Sequence, residues 1–303
     1  LADRQGFTIV GFVRVGDEQP AIEGERVINL QQPLADYVRQ TEIDQIVIAL
    51  DDKREALPME DLFNCRLKGV EVFDLVNFFE REAGKILVDH ATPGWMSFTD
   101  GFKRSTSSRL AKRCFDVTAS VVLLLFAWPF MLLTALAIWL EDGFGAPVLF
   151  RQKRVGEHGN TFDVLKFRSM SVDAEGDGKA RWATKNDSRV TRVGNFIRKT
   201  RIDELPQILN VLSGEMAFIG PRPERPEFVK ELTQLIPYYN ARHCVKPGIT
   251  GWAQLCYPYG ASENDARQKL QFDLYYVKNH SLFLDFMICL TTVEVVLFGK
   301  GAR

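Results

Sequence analysis

From Val117 to Leu140 the chain runs without one charged side chain, interrupted only by Pro129. At 1.5 Å per residue a helix over this stretch would be about 36 Å long, against roughly 30 Å of hydrocarbon in a bilayer. Three folds can absorb such a segment: a buried core helix, a straight membrane span, or a re-entrant helix that bends and returns to the face it entered. A proline removes one amide donor and crowds the preceding turn, so a break at Pro129 is physically reasonable, although kinked spans tolerate proline too. The flanking charge discriminates better. Lys103, Arg104, Arg109, Lys112 and Arg113 precede the run, and Arg151, Lys153 and Arg154 follow it. Basic flanks stay on the cytoplasmic side, which favours the re-entrant form with Pro129 as the bend.

The remainder is ordinary globular sequence. A chain of 303 residues with 46% apolar content can bury two domain cores, and a net charge of -1 excludes a globally basic nucleic-acid binder. Five scattered cysteines without CxxC spacing argue against a disulfide framework and a zinc site, and fit a reducing compartment. No signal-peptide pattern is present, and a start at Leu1 reads as a cut inside a longer protein.

Residues 1–90 alternate strand and helix patterns. Strands are expected at 7–15, 26–30, 45–50 and 70–73, with helices at 33–40, 58–68 and 75–83. This rhythm implies a small parallel-sheet domain of Rossmann type, truncated at its start and without a GxGxxG fingerprint, so a regulatory or assembly role is expected over nucleotide binding. Residues 91–110 read as a linker and 111–303 as a second, mainly α, membrane-associated domain. Within it, 148–171 reads as a hairpin around Gly156–Gly159, 171–189 as a mobile loop, and 192–201 and 204–213 as helices. Residues 281–298 read either as an amphipathic helix on the membrane, with Asp285 and Glu294 as its polar positions, or as a packed core helix.

Asp203 and Glu204 lie between Arg198-Lys199-Thr200-Arg201 and Pro206, with Gly220-Pro221-Arg222-Pro223 downstream. Thr200 or Asp203 could cap a helix beginning near Leu205, with Pro206 in its first turn. Acidic residues at helix starts are usually plain caps, but here the cations are too many for that alone. Lys166 and Arg168 alternate on a strand and share a face. Guanidinium and ammonium groups around a carboxylate pair suit a pyrophosphate and its Mg²⁺, because an anionic nucleophile reaches phosphate only when both charges are screened.

From about Lys112 to Arg303 these residues resemble the bacterial sugar transferases, the monotopic polyprenol-phosphate phosphoglycosyltransferases. The resemblance is carried by KRCFD at 112–116, FRQKRVG at 150–156, KFRSM at 166–170, RIDELPQILNVLSGEM at 201–216, IGPRP at 219–223, KPGITGWAQ at 246–254 and DLYYVKNHSLFLD at 273–285. The N-terminal part resembles the Rossmann-like domain of the large members. The stretch VIALDDKREALPMEDLFNCRLKGVEVFD is similar to a branch from exopolysaccharide and exosortase-associated loci. Large members carry four membrane helices ahead of this domain, in agreement with a cut at Leu1.

The resemblance implies a two-step reaction. Asp203 attacks the sugar-proximal phosphate of a UDP-sugar and expels UMP. Polyprenyl phosphate then takes the phosphosugar from the aspartyl enzyme, as the first membrane step of glycan assembly. Glu204 would help hold Mg²⁺ or manage the proton balance, and Asp203 and Glu204 together form the implied metal site. Arg222 matches a phosphate-binding arginine, with Lys166, Arg168 and Arg201 in support. Lys246, Gly248 and Trp252 would shape the nucleotide pocket, though Trp252 also fits simple core packing. The lipid bilayer is an implied partner, a homodimer through the N-terminal domain is expected, and the cytoplasmic face of the inner membrane is the implied location. One departure is Trp128, where some small members place Ser before the bend proline, which puts the depth of the bend in question.

Two other readings compete. An oxidoreductase or dehydratase acting on nucleotide sugars would need a glycine-rich turn and a Tyr-x-x-x-Lys pair, and residues 1–90 contain neither. A catalytically silent membrane scaffold would be expected to have lost the acidic pair or Arg222, and both are present. His90, His158, His243 and His280 form no legible cluster, and discrimination between sugars rests on pocket geometry.

Overall fold

The computed structural model describes residues 6–14, 27–49, 57–102, 105–143, 145–171, 174, 189–258, 260 and 262–298. Lys103, Arg104, most of the 171–189 loop and the outer ends of three expected N-terminal strands lie outside those residues. The chain divides into two compact units, Leu1–Met96 and Ser97–Arg303.

In the first unit the strands are β1 (Phe12–Val13), β2 (Val27–Ile28), β3 (Gln45–Ile48) and β4 (Glu71–Asp74), and the helices α1 (Leu34–Gln40), α2 (Met59–Leu67) and α3 (Leu75–Ala83). β1 pairs with β2, and β3 with β4, both in parallel, as two separate two-stranded sheets among the described residues. Parallel neighbours need a crossover, which α2 supplies between β3 and β4. Leu34, Ala35, Val38, Leu62 and Cys65 form the core, packed against Ile46, Ile48 and Val72 from the strands and Val70 just before β4. α3 starts where the Asp74 side chain accepts from the Asn77 amide, and stops at Gly84 in the left-handed region, φ 59°. The unit boundary falls inside α4 (Pro93–Phe98).

The second unit begins with α5 (Thr106–Asp142), a single helical element through Pro129. The Ser/Thr run read as linker is in fact its start, because Ser105 accepts from the Ser108 amide and caps it. A core helix would be mostly buried, whereas only 17% of the most apolar stretch of α5 is buried, which removes the core-helix reading. Leu125, Phe126, Trp128, Phe130, Leu132, Leu133, Leu136 and Leu140 all face outward, while Asp116, Ser120, Ala127, Thr134 and Ile138 make one buried stripe.

Both ends of α5 are fastened to the same unit. At the N-terminal end Lys112 Nζ donates to Asp116 (2.7 Å) and to the Ile219 carbonyl (3.2 Å), and Arg113 donates to the carbonyls of Val211 and Leu212 (2.8 Å). At the C-terminal end Asp142 accepts from Arg168 (2.8 Å), and Glu141 accepts from the amides of Arg192 (2.8 Å) and Val193 (3.1 Å). Those amides are two of the unpaired donors that open the next long helix, so Glu141 acts as a cap supplied from a distance.

The hairpin is as expected: β5 (Leu149–Val155) pairs antiparallel with β6 (Thr161–Phe167) around a tight turn at Glu157–Gly159. Next come α6 (Arg192–Lys199), α7 (Gln207–Ser213), β7 (Ala217–Ile219), α8 (Pro226–Leu235), β8 (Gly248–Thr250) and α9 (Trp252–Cys256), then α10 (Glu263–Asn279) and α11 (Leu282–Phe298). β7 and β8 pair in parallel. α10 opens with a reciprocal capping box between Ser262 and Asp265 and is buried on several sides through Leu270, Phe272, Leu274, Tyr276 and Val277. Ile219, Tyr276 and Ile288, each at most 1% exposed, centre the core where β7, α10 and α11 meet. Burying each such side chain contributes about 1.5–3 kcal/mol.

α11 corrects one expectation. Asp285 is not on a solvent face: it is fully buried, accepting from the Tyr276 hydroxyl at 2.7 Å and ion-paired with Lys112 at 3.1 Å. The outward face carries Leu282, Phe283, Phe286, Met287, Leu290, Val293 and Val296. Glu294 stays exposed as expected, but the rest of the outward face is apolar and the charge of Asp285 is buried, the reverse of a helix in water.

Candidate active site

The acidic pair sits on a single turn of 3₁₀ helix, Ile202–Glu204, between α6 and α7. Arg201 enters it with a left-handed backbone, φ 60°, which turns the chain sharply after α6. The expected cap does not form. Thr200 Oγ1 donates back to the Phe196 carbonyl (3.0 Å), and Pro206 occupies the cap position of α7 without a side-chain bond. The 3₁₀ turn moves the α7 start from near Leu205 to Gln207, so the carboxylates stand clear of capping duty.

Glu204 is the electrostatic centre. Its Oε1 accepts from Arg222 Nη2 at 2.8 Å and from Lys166 Nζ at 3.4 Å. Burial works against ionisation of Glu204, yet Arg222 and Lys166 outweigh it and hold the carboxyl well below the usual carboxylate range. Burial pushes the Lys166 ammonium down, with Glu204 opposing. Asp203 behaves in the opposite sense to its neighbour. It is 8% exposed, its Oδ1 has no hydrogen-bond partner among the described residues, and burial together with the adjacent Glu204 charge pushes its carboxyl up. Two neighbouring carboxylates are thus driven apart: one a fixed anion clamped by cations, the other buried with an unengaged oxygen.

Each cation is held by its own element. Lys166 lies near the end of β6, whose backbone is gripped by Asn210: the Leu165 amide donates to Asn210 Oδ1 (3.0 Å), and Asn210 Nδ2 donates to the Asp163 carbonyl (2.9 Å). Arg222 projects from the loop after β7. Arg198 and Arg201 add positive charge around Asp203, and Arg198 Nε donates to Ser169 Oγ (2.9 Å). α6 is pressed against the chain after β6 at Gly194, where an added Cβ would stand 2.0 Å from the Ser169 carbonyl oxygen.

The other expected residues are placed elsewhere. Arg168, two positions beyond Lys166, is taken by Asp142 at the end of α5, because β6 ends at Phe167 and a buried guanidinium takes the carboxylate that α5 brings beside it; its Nε and Nη1 stay buried without partners among the described residues. Lys246 approaches Gly214 at the end of α7, beside Arg113. Gly248 is wedged against Gly220 in the β7–β8 pair, where a Cβ would meet the Gly220 amide at 2.1 Å, and its own amide donates to the Pro221 carbonyl (2.9 Å). Gly248 therefore braces the arginine loop. Trp252 packs in the core beside Tyr275, with ring centres 6.1 Å apart. Pro129 lies inside α5.

Sequence reasoning missed Asn210, Arg242 and Asp273. Asn210 was visible as one amide inside the apolar run Ile208–Leu212, and Asp273 as one carboxylate among Leu270, Phe272, Leu274 and Tyr276, where a lone polar group signals a buried partner. As for Mg²⁺, among the described residues no three His, Cys, Asp or Glu side chains gather around a point. The dyad fits a partly ligated hard cation, since the unengaged Asp203 Oδ1 is an oxygen donor and such an ion keeps water and phosphate ligands.

Residues 107–299 match the family described as bacterial sugar transferase. The chain is 43% identical over 242 residues to a UDP-N-acetylgalactosamine-undecaprenyl-phosphate N-acetylgalactosaminephosphotransferase of Aeromonas hydrophila, covering 80% of this chain and 56% of that protein. It is 34% identical to a UDP-glucose:undecaprenyl-phosphate glucose-1-phosphate transferase of Xanthomonas campestris pv. campestris, across 98% of this chain and 62% of the relative. A protein of the same description from Escherichia coli (strain K12) is 44% identical, over 64% of this chain and 42% of its own length. The chain thus spans less than two thirds of the length of each of these relatives.

Proposed function

The chain belongs to the bacterial sugar transferase family, and on that footing we propose that it moves a sugar 1-phosphate from a UDP-sugar to a polyprenyl phosphate and releases UMP. The observation that carries this reading is the split dyad: Glu204 clamped by Arg222 and Lys166, with the unengaged Asp203 oxygen beside it. An Asp203 oxygen attacks the sugar-bearing phosphorus, the bond from that phosphorus to the bridging oxygen breaks, and UMP leaves with that oxygen. A phosphate oxygen of the lipid then attacks the same phosphorus and returns the carboxylate of Asp203. Arg222 and Lys166 neutralise the diphosphate during the approach, with Arg201 adding positive charge nearby, and Glu204 keeps the two cations aimed at one place. Mg²⁺ held by Asp203 and Glu204 would supply further neutralisation of the diphosphate when bound.

A lipid substrate requires a membrane location. That both ends of α5 grip one folded unit supports a re-entrant helix that dips into a single leaflet, with the apolar face of α11 lying on the same surface. The site would then face the cytoplasm at the inner membrane. The parallel pairs of the N-terminal unit support a Rossmann-like assembly domain, and a homodimer through it. Among the relatives, one name carries N-acetylgalactosamine and others glucose, so the donor sugar is left to measurement.

The test is UMP release from a panel of UDP-sugars by detergent-solubilised protein with Mg²⁺ and polyprenyl phosphate. The expected result is release with one sugar, abolished in Asp203→Asn and by EDTA. No release with any sugar from a folded, lipid-supplied sample would return the scaffold reading.

A further inference from the structure

The loop that carries Arg222 is held in an unusual way. Four successive carbonyls, from Pro221 to Glu224, each accept a hydrogen bond from a different part of the unit. The Gly248 amide donates to Pro221 (2.9 Å), Arg242 Nη2 to Arg222 (3.0 Å), Arg154 Nη1 to Pro223 (3.2 Å), and the Val155 amide to Glu224 (2.9 Å). Two of these donors are backbone groups fixed by strands. Arg154 is a partly accessible side chain that also approaches Glu224 at 3.6 Å.

Arg242 differs from the other three. Its side chain is 6% exposed, and it donates through Nη1 to the Tyr239 hydroxyl at 2.7 Å while ion-pairing with Asp273, 3% exposed, at 2.7 Å. Asp273 stands on α10, the central helix of the unit, so the carbonyl of Arg222 is connected to the most buried helix through one guanidinium. A buried ion pair is an expensive way to brace a loop if stability is the only gain, because two charges must leave water. It is a good way to fix a direction, since a guanidinium fork in a packed site has little freedom.

On the reading given above for the reaction, we propose that Arg242, seated on Asp273, is a positioning residue: by holding the Arg222 carbonyl it aims the Arg222 side chain at Glu204 and at the donor phosphates. Backbone and side chain of Arg222 are thereby both engaged, the first by Arg242 and the second by Glu204. Neither Arg242 nor Asp273 touches the substrate.

The experiment is a double-mutant cycle on UMP release, with Arg242→Lys, Arg242→Gln, Arg222→Ala and the combined variants, supported by crystal structures of the wild type and Arg242→Lys. Lysine keeps a charge for Asp273 but cannot fork to Tyr239 and the Arg222 carbonyl at once. Each Arg242 variant alone is expected to lower kcat/KM roughly 10- to 100-fold, the usual result of misplacing a group by about 1 Å, with melting temperature recorded in parallel. In the Arg222→Ala background the same change should cost less than about 3-fold, whereas its effect on melting temperature persists undiminished. In the Arg242→Lys structure the 2.8 Å contact from Arg222 to Glu204 should be broken. An equal loss of rate in both backgrounds overturns the proposal, as does an Arg242→Lys structure with that contact intact. If Arg242→Gln does not fold, Arg242→Lys and Tyr239→Phe carry the cycle. If the wild type releases no UMP, the reaction assigned above fails, while the structural comparison still decides whether Arg242 aims Arg222.

Discussion

Replacing Lys112 by methionine removes the one cation shared by two buried carboxylates. Lys112 Nζ lies 2.7 Å from Asp116 and 3.1 Å from Asp285, which are 3% and 0% exposed. Methionine fills nearly the same volume, so packing is largely conserved and the electrostatic loss is isolated. Removing one partner from a buried ion pair costs about 3–5 kcal/mol. The Phe218 amide on Asp116 and the Tyr276 hydroxyl on Asp285 keep the carboxylates hydrogen-bonded. For a unit of this size each kcal/mol moves the midpoint by roughly 2–4 °C, so Tm should fall by about 6–20 °C at pH 7.5. Without its cation Asp116, whose carboxyl burial already pushes up, favours the protonated form in the folded state. The deficit should therefore shrink as pH falls toward 5, and grow as pH rises. Scanning fluorimetry in detergent at both values reads this directly, and Lys112→Met with Asp285→Asn should recover about half the loss. A Tm within 2 °C of wild type, or an equal deficit at both pH values with no recovery in the double variant, would refute the reasoning.

Gly194→Ala should cost about 1–3 kcal/mol, seen as a lower Tm, because the new methyl group would meet the Ser169 carbonyl oxygen at 2.0 Å. The raised carboxyl of Asp203 predicts that kcat/KM falls with falling pH at a midpoint above that of an ordinary aspartate, about 3.9, since the nucleophile must be ionised. Glu204→Gln should move that acid limb to lower pH, whatever it does to the maximal rate; a limb that stays in place would disconnect the two carboxylates. Phe286→Lys, on the outward apolar face of α11, should weaken co-sedimentation with lipid vesicles while leaving the secondary structure seen by circular dichroism unchanged.

Much of the architecture could be read from local patterning. The helices at 34–40, 59–67 and 75–83 fall within a residue of expectation, because Pro58, Asp74 and Gly84 mark helix ends, and the hairpin starts where expected but ends at Phe167, four residues short of 171. The association of Lys166, Glu204 and Arg222 was legible too, from charge set against a short run of prolines and glycines. What could not be read was the direction of buried polar groups. Asp285 looked like the wet side of an amphipathic helix and proved to be the dry side, because its partner Lys112 lies far away in sequence. Arg168 looked equivalent to Lys166 by alternation, but Asp142 at the end of the long helix claimed it. Trp252 followed the plainer expectation of core packing. Each of these outcomes depends on a contact between distant segments, which periodicity does not encode.

The seating of α5 also orders events during synthesis. The groups that its first turns bind are made late: Val211 and Leu212 lie 98 and 99 residues after Arg113, Phe218 lies 102 after Asp116, and Ile219 lies 107 after Lys112, with Asp285 later still. While the ribosome is finishing the apolar helix, Lys112 and Arg113 have none of those partners and Asp116 has only Lys112. At that stage the apolar helix stands on a charged base whose later partners are still to be made. Its socket is completed only when Asp285 on α11 has been made, so a much later helix finishes the seating of α5.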